Sequence, residues 1–493
     1  MRSICNRISS WNVGTCRSLV VAVGALWFVA SAVWGDEASQ PSDVDISTPT
    51  HHQVGIIQAN VDGQPQVALQ CFALTPENKI LAGCLAGEVG EIRVFDAEGK
   101  YLETWSVPVK PEAIFVRGDG NVFLAGDGQL VQLSSTGRLE RQSEAPHAKL
   151  IHENRDKIRE EVIAQTKQMA NMLAEQSKVY DQMIEQSDKQ IAQIREQIAA
   201  LEEAEKKATS EDQADEGETP REATSASLKK RMLERRLASR ERTKKQYEEA
   251  KAQFAEMAKQ NPAEELTEEQ IEEKVKSSLA YKLKASSISA TEDEVYLATH
   301  SAVGYGFEVW RMDDEFNNGQ RIVSELRGCC GQMDVKVNEH GLFVAENSQH
   351  RVCRYNRDGK LITTWGQGAR EGLEGFGSCC NPMNVAFGPG DAVYTAEDNT
   401  GRIKRYSVEG KLLGLVGSVE LVPGCKNVSI AVNEDGSRVY MLDITRHHIV
   451  RMEPYAPGEA PAAADKQKGA RPSSSDVGSA VVEGLKAIFS LAH

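Results

Sequence analysis

Apolar and polar positions along most of this chain form a phrase that returns six times. It runs Lys79–Gly83, Val122–Gly126 and Val295–Thr299, then Leu342–Glu346, Val393–Glu397 and Val439–Asp443. Each copy is a short β-branched and aromatic run, the composition of a largely buried strand. Most are followed by a run of apolar, basic and aromatic residues, as at Arg351–Tyr355, Arg402–Tyr406 and Ile449–Met452. Most second runs end in a glycine-basic pair that marks a turn: Gly99-Lys100, Gly137-Arg138, Gly359-Lys360 and Gly410-Lys411. Self-similarity at roughly 40–50 residues, with several strands per unit, is the signature of a β-propeller. The expected fold is therefore mainly β, a six-bladed β-propeller. Residues 54–147 supply blades one and two plus a closing strand, and 284–455 supply blades three to six. The last repeat has three strands, ending at Met452–Pro454, while Val54–Val61 has no partner of its own. Pairing Val54–Val61 as the outer strand of the last blade closes the ring and covers an exposed edge.

Residues 148–283 break the repeat between blades two and three. Ile158, Val162, Met169, Leu173, Tyr180, Ile184, Ile191, Ile194, Ile198 and Leu201 step by sevens and by three or four, which is a coiled-coil seam. Thr209–Ser227 reads as a loop. Leu228–Gln260 returns with a poorer seam of Leu233, Leu237, Tyr247, Phe254 and Met257. Thr267–Gln270 has the form of a capping box that opens a last helix to about Lys282. An insertion that leaves and re-enters one loop must run its two long helices antiparallel, giving an inserted antiparallel α-helical coiled coil. Two readings stand side by side: a solvated spacer, or an arm for a protein partner or self-association.

The ends are different in character. Arg2, Arg7 and Arg17 precede the apolar run Ser18–Trp34, so residues 1–35 read as an export signal peptide. The expected location is the periplasm, the cell envelope or the exterior. Membrane contact is expected only if that segment stays uncleaved. Residues 456–476 read as a flexible linker and 477–493 as a short amphipathic helix. A formal net charge of −15 argues against nucleic acid as a partner.

Of ten cysteines, Cys5 and Cys16 fall in the leader. Cys71, Cys329, Cys330, Cys379, Cys380 and Cys425 sit at or just before the first strand of their repeats, and Cys84 ends a second strand. Loops between blades and the middle turn within each blade share one face of a propeller. These cysteines should therefore crowd one mouth of the channel, with Glu346, Asn347, Glu397, Asp398, Asp127, His300 and Asp443 as a candidate ligand-binding face. Three chemistries stay open for the cysteines. They are disulfides between blades, a thiolate site for Zn or Cu, and redox-active thiols. No c-type haem is expected, because no Cys-x-x-Cys-His occurs. Cys353, in a third strand, reads as a half-buried or surface thiol. His447-His448 read as loop or core residues more readily than as metal ligands.

Val344–Val352, Thr395–Ile403 and Asn381–Ala386 resemble the NHL-repeat family of six-bladed propellers. The resemblance is good in blades four and five, partial in six and weak in one to three. It implies a binding module, because most members bind and a minority are lyases or hydrolases. It also implies that acidic residues ending the second strand cap the turn through Asx-type hydrogen bonds. The leading functional expectation is an exported protein- or ligand-binding module. The alternative is a metal- or thiol-dependent lyase or hydrolase working at the cysteine-bearing mouth.

Overall fold

The computed structural model describes residues 45–211, 220–260, 266–369, 371–378, 380–422, 427–456 and 459. The leader, most of the linker, the terminal helix, Cys379 and Cys425 lie outside the described residues. Six four-stranded antiparallel sheets form propeller-like blades. Blade one holds Ala68–Leu74, Ile80–Ala86, Val89–Phe95 and Tyr101–Ser106, and blade two holds Ala113–Val116, Val122–Gly126, Gln129–Leu133 and Leu139–Glu144. Blade three holds Ala285–Ala290, Glu294–His300, Phe307–Asp313 and Gln320–Leu326. Blade four holds Asp334–Asn338, Gly341–Glu346, Arg351–Tyr355 and Leu361–Trp365. Blade five holds Asn384–Gly388, Ala392–Ala396, Arg402–Tyr406 and Leu412–Ser418. Blade six takes Ile430–Val432, Val439–Asp443 and His448–Pro454, and its fourth strand is His51–Gln58.

That last strand pairs antiparallel with His448–Pro454, from His51 opposite Pro454 to Gln58 opposite His448. It begins three residues before the expected Val54 and stops at Gln58, because Asn60 turns the chain by bonding Val67 through its side chain. First strands of successive blades touch in turn, and blade six returns to blade one. The core lies between neighbouring blades. Phe123 and Leu130 pack with Ile288, Leu297 and Trp310, while Tyr440, Leu442 and Ile449 pack with Ile57, Leu69 and Ile80. Each such side chain contributes about 1.5–3 kcal/mol by leaving water.

The glycine of the repeated turn has a packing role. Gly410 has φ +89°, and a Cβ there would meet Trp365 of the preceding blade at 2.6 Å. Gly99 has φ +91°, and a Cβ would lie 2.6 Å from Ile57 on the closing strand. Only a residue without a Cβ lets the turn lie flat against its neighbour.

Helices α1 (Pro146–Glu153), α2 (Arg155–Glu211), α3 (Pro220–Gln260) and α4 (Glu268–Leu283) separate blades two and three. The 57 residues of α2 span about 85 Å. Ion pairs Lys230–Glu202 (2.8 Å), Arg195–Glu241 (2.7 Å) and Lys244–Asp188 (2.7 Å) fix α2 and α3 as antiparallel. Between them Tyr180 packs on Phe254, ring centres 5.3 Å apart. The expected loop Thr209–Ser227 is shorter than read, because α2 runs to Glu211 and α3 begins at Pro220, a residue suited to a first helical position. The Thr267–Gln270 capping box is formed, and Ile271 and Val275 of α4 bury against Ile158 and Val162. Among the described residues no helix is long and apolar enough to cross a membrane.

Gly99→Ala should lower the unfolding free energy by about 1–3 kcal/mol in urea titrations. Gly63→Ala should cost less, since Gly63 shares a positive φ (+79°) but has nothing within 4 Å of a new Cβ. Equal losses would show that contact with the closing strand does not matter.

Candidate functional site

First strands converge on an axial cavity of about 540 Å³, a size that suits a small molecule. All six blades contribute to its wall, which includes Cys71, Glu112, Ser287, Asp334, Lys336, Asn384 and Ser429. Polar groups at or beside the axis reach the backbone of the following blade. Glu112 Oε2 accepts from the Ala285 N–H at 2.8 Å, and Ser286 Oγ accepts from the Met333 N–H at 2.6 Å. Asp334 Oδ2 accepts from the Val385 N–H at 2.8 Å, and Asn384 Oδ1 accepts from the Ile430 N–H at 2.9 Å. His447 Nδ1 accepts from the Leu69 N–H at 3.3 Å, carrying the chain of contacts from blade six to blade one.

Burial pushes the Glu112 carboxyl up to about 7; the Ala285 N–H opposes this and the Asp127 charge adds to it. Burial likewise raises Asp334, against the charge of Lys336 and a 2.6 Å bond from Ser287 Oγ. Lys336 Nζ stands 5.7 Å from the centre of the Phe115 ring, two blades away. Lys110 and Lys284 also line the cavity. Sequence reasoning missed Glu112, Asp334 and Lys336. The available signal was a charge directly before or inside an apolar first strand.

Of the expected ligand-binding face, only Asp127 lines this cavity. It is exposed, and its Oδ2 accepts from the Lys110 N–H at 2.8 Å. The others are held inside the fold. Glu346 accepts from Arg351 Nε at 2.6 Å and from the Arg327 N–H at 3.0 Å. Glu397 accepts from Arg402 Nε at 2.8 Å and pairs with Lys404 Nζ at 3.1 Å, all but the rim of Arg402 buried. Asp443 accepts from the Thr445 and Arg446 N–H groups at 3.1 and 3.2 Å. Asn347 brackets Cys329, accepting from its N–H at 2.8 Å and donating to its carbonyl at 3.2 Å. Asp398 accepts from Ser378 Oγ at 3.3 Å, and its N–H donates to Asn381 Oδ1 at 2.9 Å. These contacts are mostly turn caps and ion pairs. The glycine-rich stretch before blade five is likewise clamped, by Arg402 and Lys404 donating to the Gly375 carbonyl at 3.0 and 2.8 Å.

The cysteines divide into separate groups. Cys329, Cys330 and Cys380 form a triangle with sulfur separations of 3.6, 3.2 and 3.1 Å. No S–S bond joins any two of the six described cysteines. Cys71 is buried against the Pro111 carbonyl, 3.8 Å from its sulfur, and burial raises its pKa well above the usual thiol value. Cys84 is buried in the blade six–blade one core, with its pKa pushed up to about 12 by burial. Both belong to blade one and stand apart from the triangle. Cys353 is fully buried rather than half-exposed, 3.6 Å from Glu346, and burial lifts its pKa to about 11. It occupies the third-strand position that Lys404 fills in blade five and Arg93 in blade one, and all three are fully buried.

His300 sits where the helical insertion rejoins the blades. Its ring lies between Tyr281 of α4 (4.1 Å) and Phe307 (4.4 Å). Burial, aided by the charges of Lys282, Lys284 and His147, pushes its pKa down to about 3. His147 is buried nearby, its Nε2 3.0 Å from the Leu283 carbonyl, and burial lowers its pKa to about 4. The Tyr281 hydroxyl is raised to about 12 by burial, with Cys329 and Cys330 adding to the shift.

Six sheets in a closed circuit around a polar axis define a β-propeller. No protein-family model matches the chain, and no curated protein does. It is similar to a virginiamycin B lyase from Staphylococcus aureus, with 9% identity, 81% of this chain and 99% of that one covered, and a TM-score of 0.38. It is similar to a gluconolactonase from Xanthomonas campestris, with 9% identity, 82% and 99% covered, and a TM-score of 0.37. A calcium-binding regucalcin from Agrobacterium tumefaciens gives 10% identity, 85% and 100% covered, and a TM-score of 0.38. At these values the likeness transfers no activity to this chain.

Acid should loosen the root of the helices. Below pH 6.5 the unfolded chain protonates His300 and His147 while the folded chain does not, so stability falls as pH drops toward 4. Melting temperatures of wild type and His300→Phe, followed from pH 7.5 to 5, should converge as pH falls. A constant difference would place the titration elsewhere.

Proposed function

We propose that the chain is an exported, NHL-like six-bladed propeller that binds a small anionic ligand in its axial cavity. The helical insertion is its second interaction element. The observation that carries this reading is the balance of charge along the axis. Lys110, Lys284 and Lys336 line the cavity with Glu112, Asp127 and Asp334; Asp334 is engaged by Ser287 and Val385, and burial pushes the Glu112 carboxyl up to about 7. Lysine ammonium groups beside carboxyls that are already engaged, Asp334 by Ser287 and Val385 and Asp127 by the Lys110 N–H, suit a carboxylate or phosphate. The repeated Glu346–Arg351 and Glu397–Arg402 pairs support the NHL-like assignment. The basic and apolar leader supports export, which N-terminal sequencing of the mature protein checks.

Binding is favoured over catalysis because the carboxylates nearest the turns are locked in ion pairs. For the insertion, Leu228 and Met232 are 62% and 66% exposed on α3, which suits self-association through that face. Sedimentation velocity should show a self-associated species that becomes monomeric in the Leu228→Glu/Met232→Glu double variant. A wild-type monomer would remove the self-association reading.

Calorimetric titration with citrate and with inorganic phosphate should show binding to the wild type. Lys336→Ala should weaken it about tenfold or more. No heat from either probe, or equal affinity in the variant, would overturn the cavity reading.

A further inference from the structure

We propose that Cys329, Cys330 and Cys380 form a site for one thiophilic d¹⁰ cation, Zn(II) or Cu(I), that ties the start of blade four to the start of blade five. The three sulfurs lie within 3.6 Å of one another although Cys380 is fifty residues along the chain. Cys330 and Cys380 approach from loops of different blades, so the cluster is a product of the ring and not of a local motif.

The two loops are held by the fold around them. Cys329 opens a tight turn in which the Gln332 N–H donates to its carbonyl at 3.3 Å. Cys330 and Gly331 in the middle of that turn have φ +58° and +69°. A left-handed conformation at a residue with a Cβ costs about 1–2 kcal/mol and persists only where the surroundings impose it. Here Asn347, fully buried, grips the Cys329 N–H and carbonyl and the Gln332 carbonyl (3.1 Å). On the other side, Asn381 donates to the Gly377 carbonyl at 2.6 Å and accepts from the Asp398 N–H, fixing the loop that carries Cys380. Asn347 and Asn381 are therefore positioning residues, and for Asn347 this gives a second reason for a polar group after the second strand.

The sulfurs face an apolar wall. Cys380 is fully buried with Met383 and Val428, and Cys329 and Cys330 pack against the same cluster. Soft sulfur donors in such surroundings select soft cations over Mg²⁺ or Ca²⁺. Thiolates about 2.3 Å from a tetrahedral Zn(II) stand about 3.8 Å apart, so the triangle must open by only a fraction of an ångström. Each ligating thiol gives its proton to solvent as its sulfur–metal bond forms, and no oxidant or reductant enters the step. The site is independent of any ligand in the axial cavity, and the two are tested by different readouts.

Full-length chain purified anaerobically under reductant should take up one equivalent of Zn(II). Co(II) in its place should give a thiolate-to-metal charge-transfer band that Zn(II) abolishes. The Cu(I) arm, titrated against a bicinchoninate chelator, decides between the two cations: the one retained at the lower free concentration is the preferred occupant. Cys330→Ser and Cys380→Ser should lose the band, while Cys353→Ser, which alters another buried thiol, should keep it. Because the band is read first on wild type, a variant that fails to fold does not decide the matter. The proposal is overturned if wild type gives no band and binds neither ion. It is equally overturned if Cys330→Ser/Cys380→Ser binds both ions as wild type does, or if the reduced protein re-forms a disulfide among these cysteines in place of binding.

Discussion

The fold depends on polar bridges that run from one blade to the backbone of the next. Glu112, Ser286, Asp334 and Asn384 each accept an N–H from the following blade, and His447 does so across the ring closure. A bond of this kind adds only about 1 kcal/mol net, but an N–H left buried without it costs about 1–3 kcal/mol. The axis of the ring must therefore be lined with acceptors, and a cavity lined with acceptors is necessarily polar. The same requirement that closes the circle also creates a place where a charged ligand can sit.

A second constraint explains why the acidic residues that look most like ligands are structural. The end of each second strand lies against the start of the third, and Glu346 stands directly opposite Arg351 in the ladder. A buried carboxylate there needs a cation, which Arg351 and Arg402 supply. Two positions further along the third strand the side chain is covered from the side of the preceding blade, by blade three at Cys353 and by the glycine-rich loop at Lys404. Blade five places Lys404 there, neutralising Glu397 and pinning the glycine-rich loop; blade four places Cys353. Burial holds the Lys404 ammonium down to about 8 against the pull of Glu397. The cation and the thiol are alternative fillings for one covered site.

The helices return to the sheets where blade three begins, and aromatic rings pack at that point. Tyr281, His300 and Phe307 form a stack next to Cys329 and Cys330, while Lys282 donates to the Ser301 and Gly304 carbonyls.

By itself the sequence determined whatever is periodic or local. The six strand phrases, the glycine turns, the strand needed to finish the last sheet, the Thr267 capping box and the antiparallel sense of the two long helices were all legible. Each follows from burial alternating within an element, or from a turn that only certain residues can make. What only the tertiary structure decided were distances between side chains some fifty residues apart. Cys380 meets Cys330, Cys71 does not join them, Cys353 is covered, and Glu346 and Glu397 point into ion pairs rather than toward a ligand. A pattern along one strand reports which face is buried, but the neighbour on that face is set by the register and twist of the adjacent blade, which no local spacing encodes.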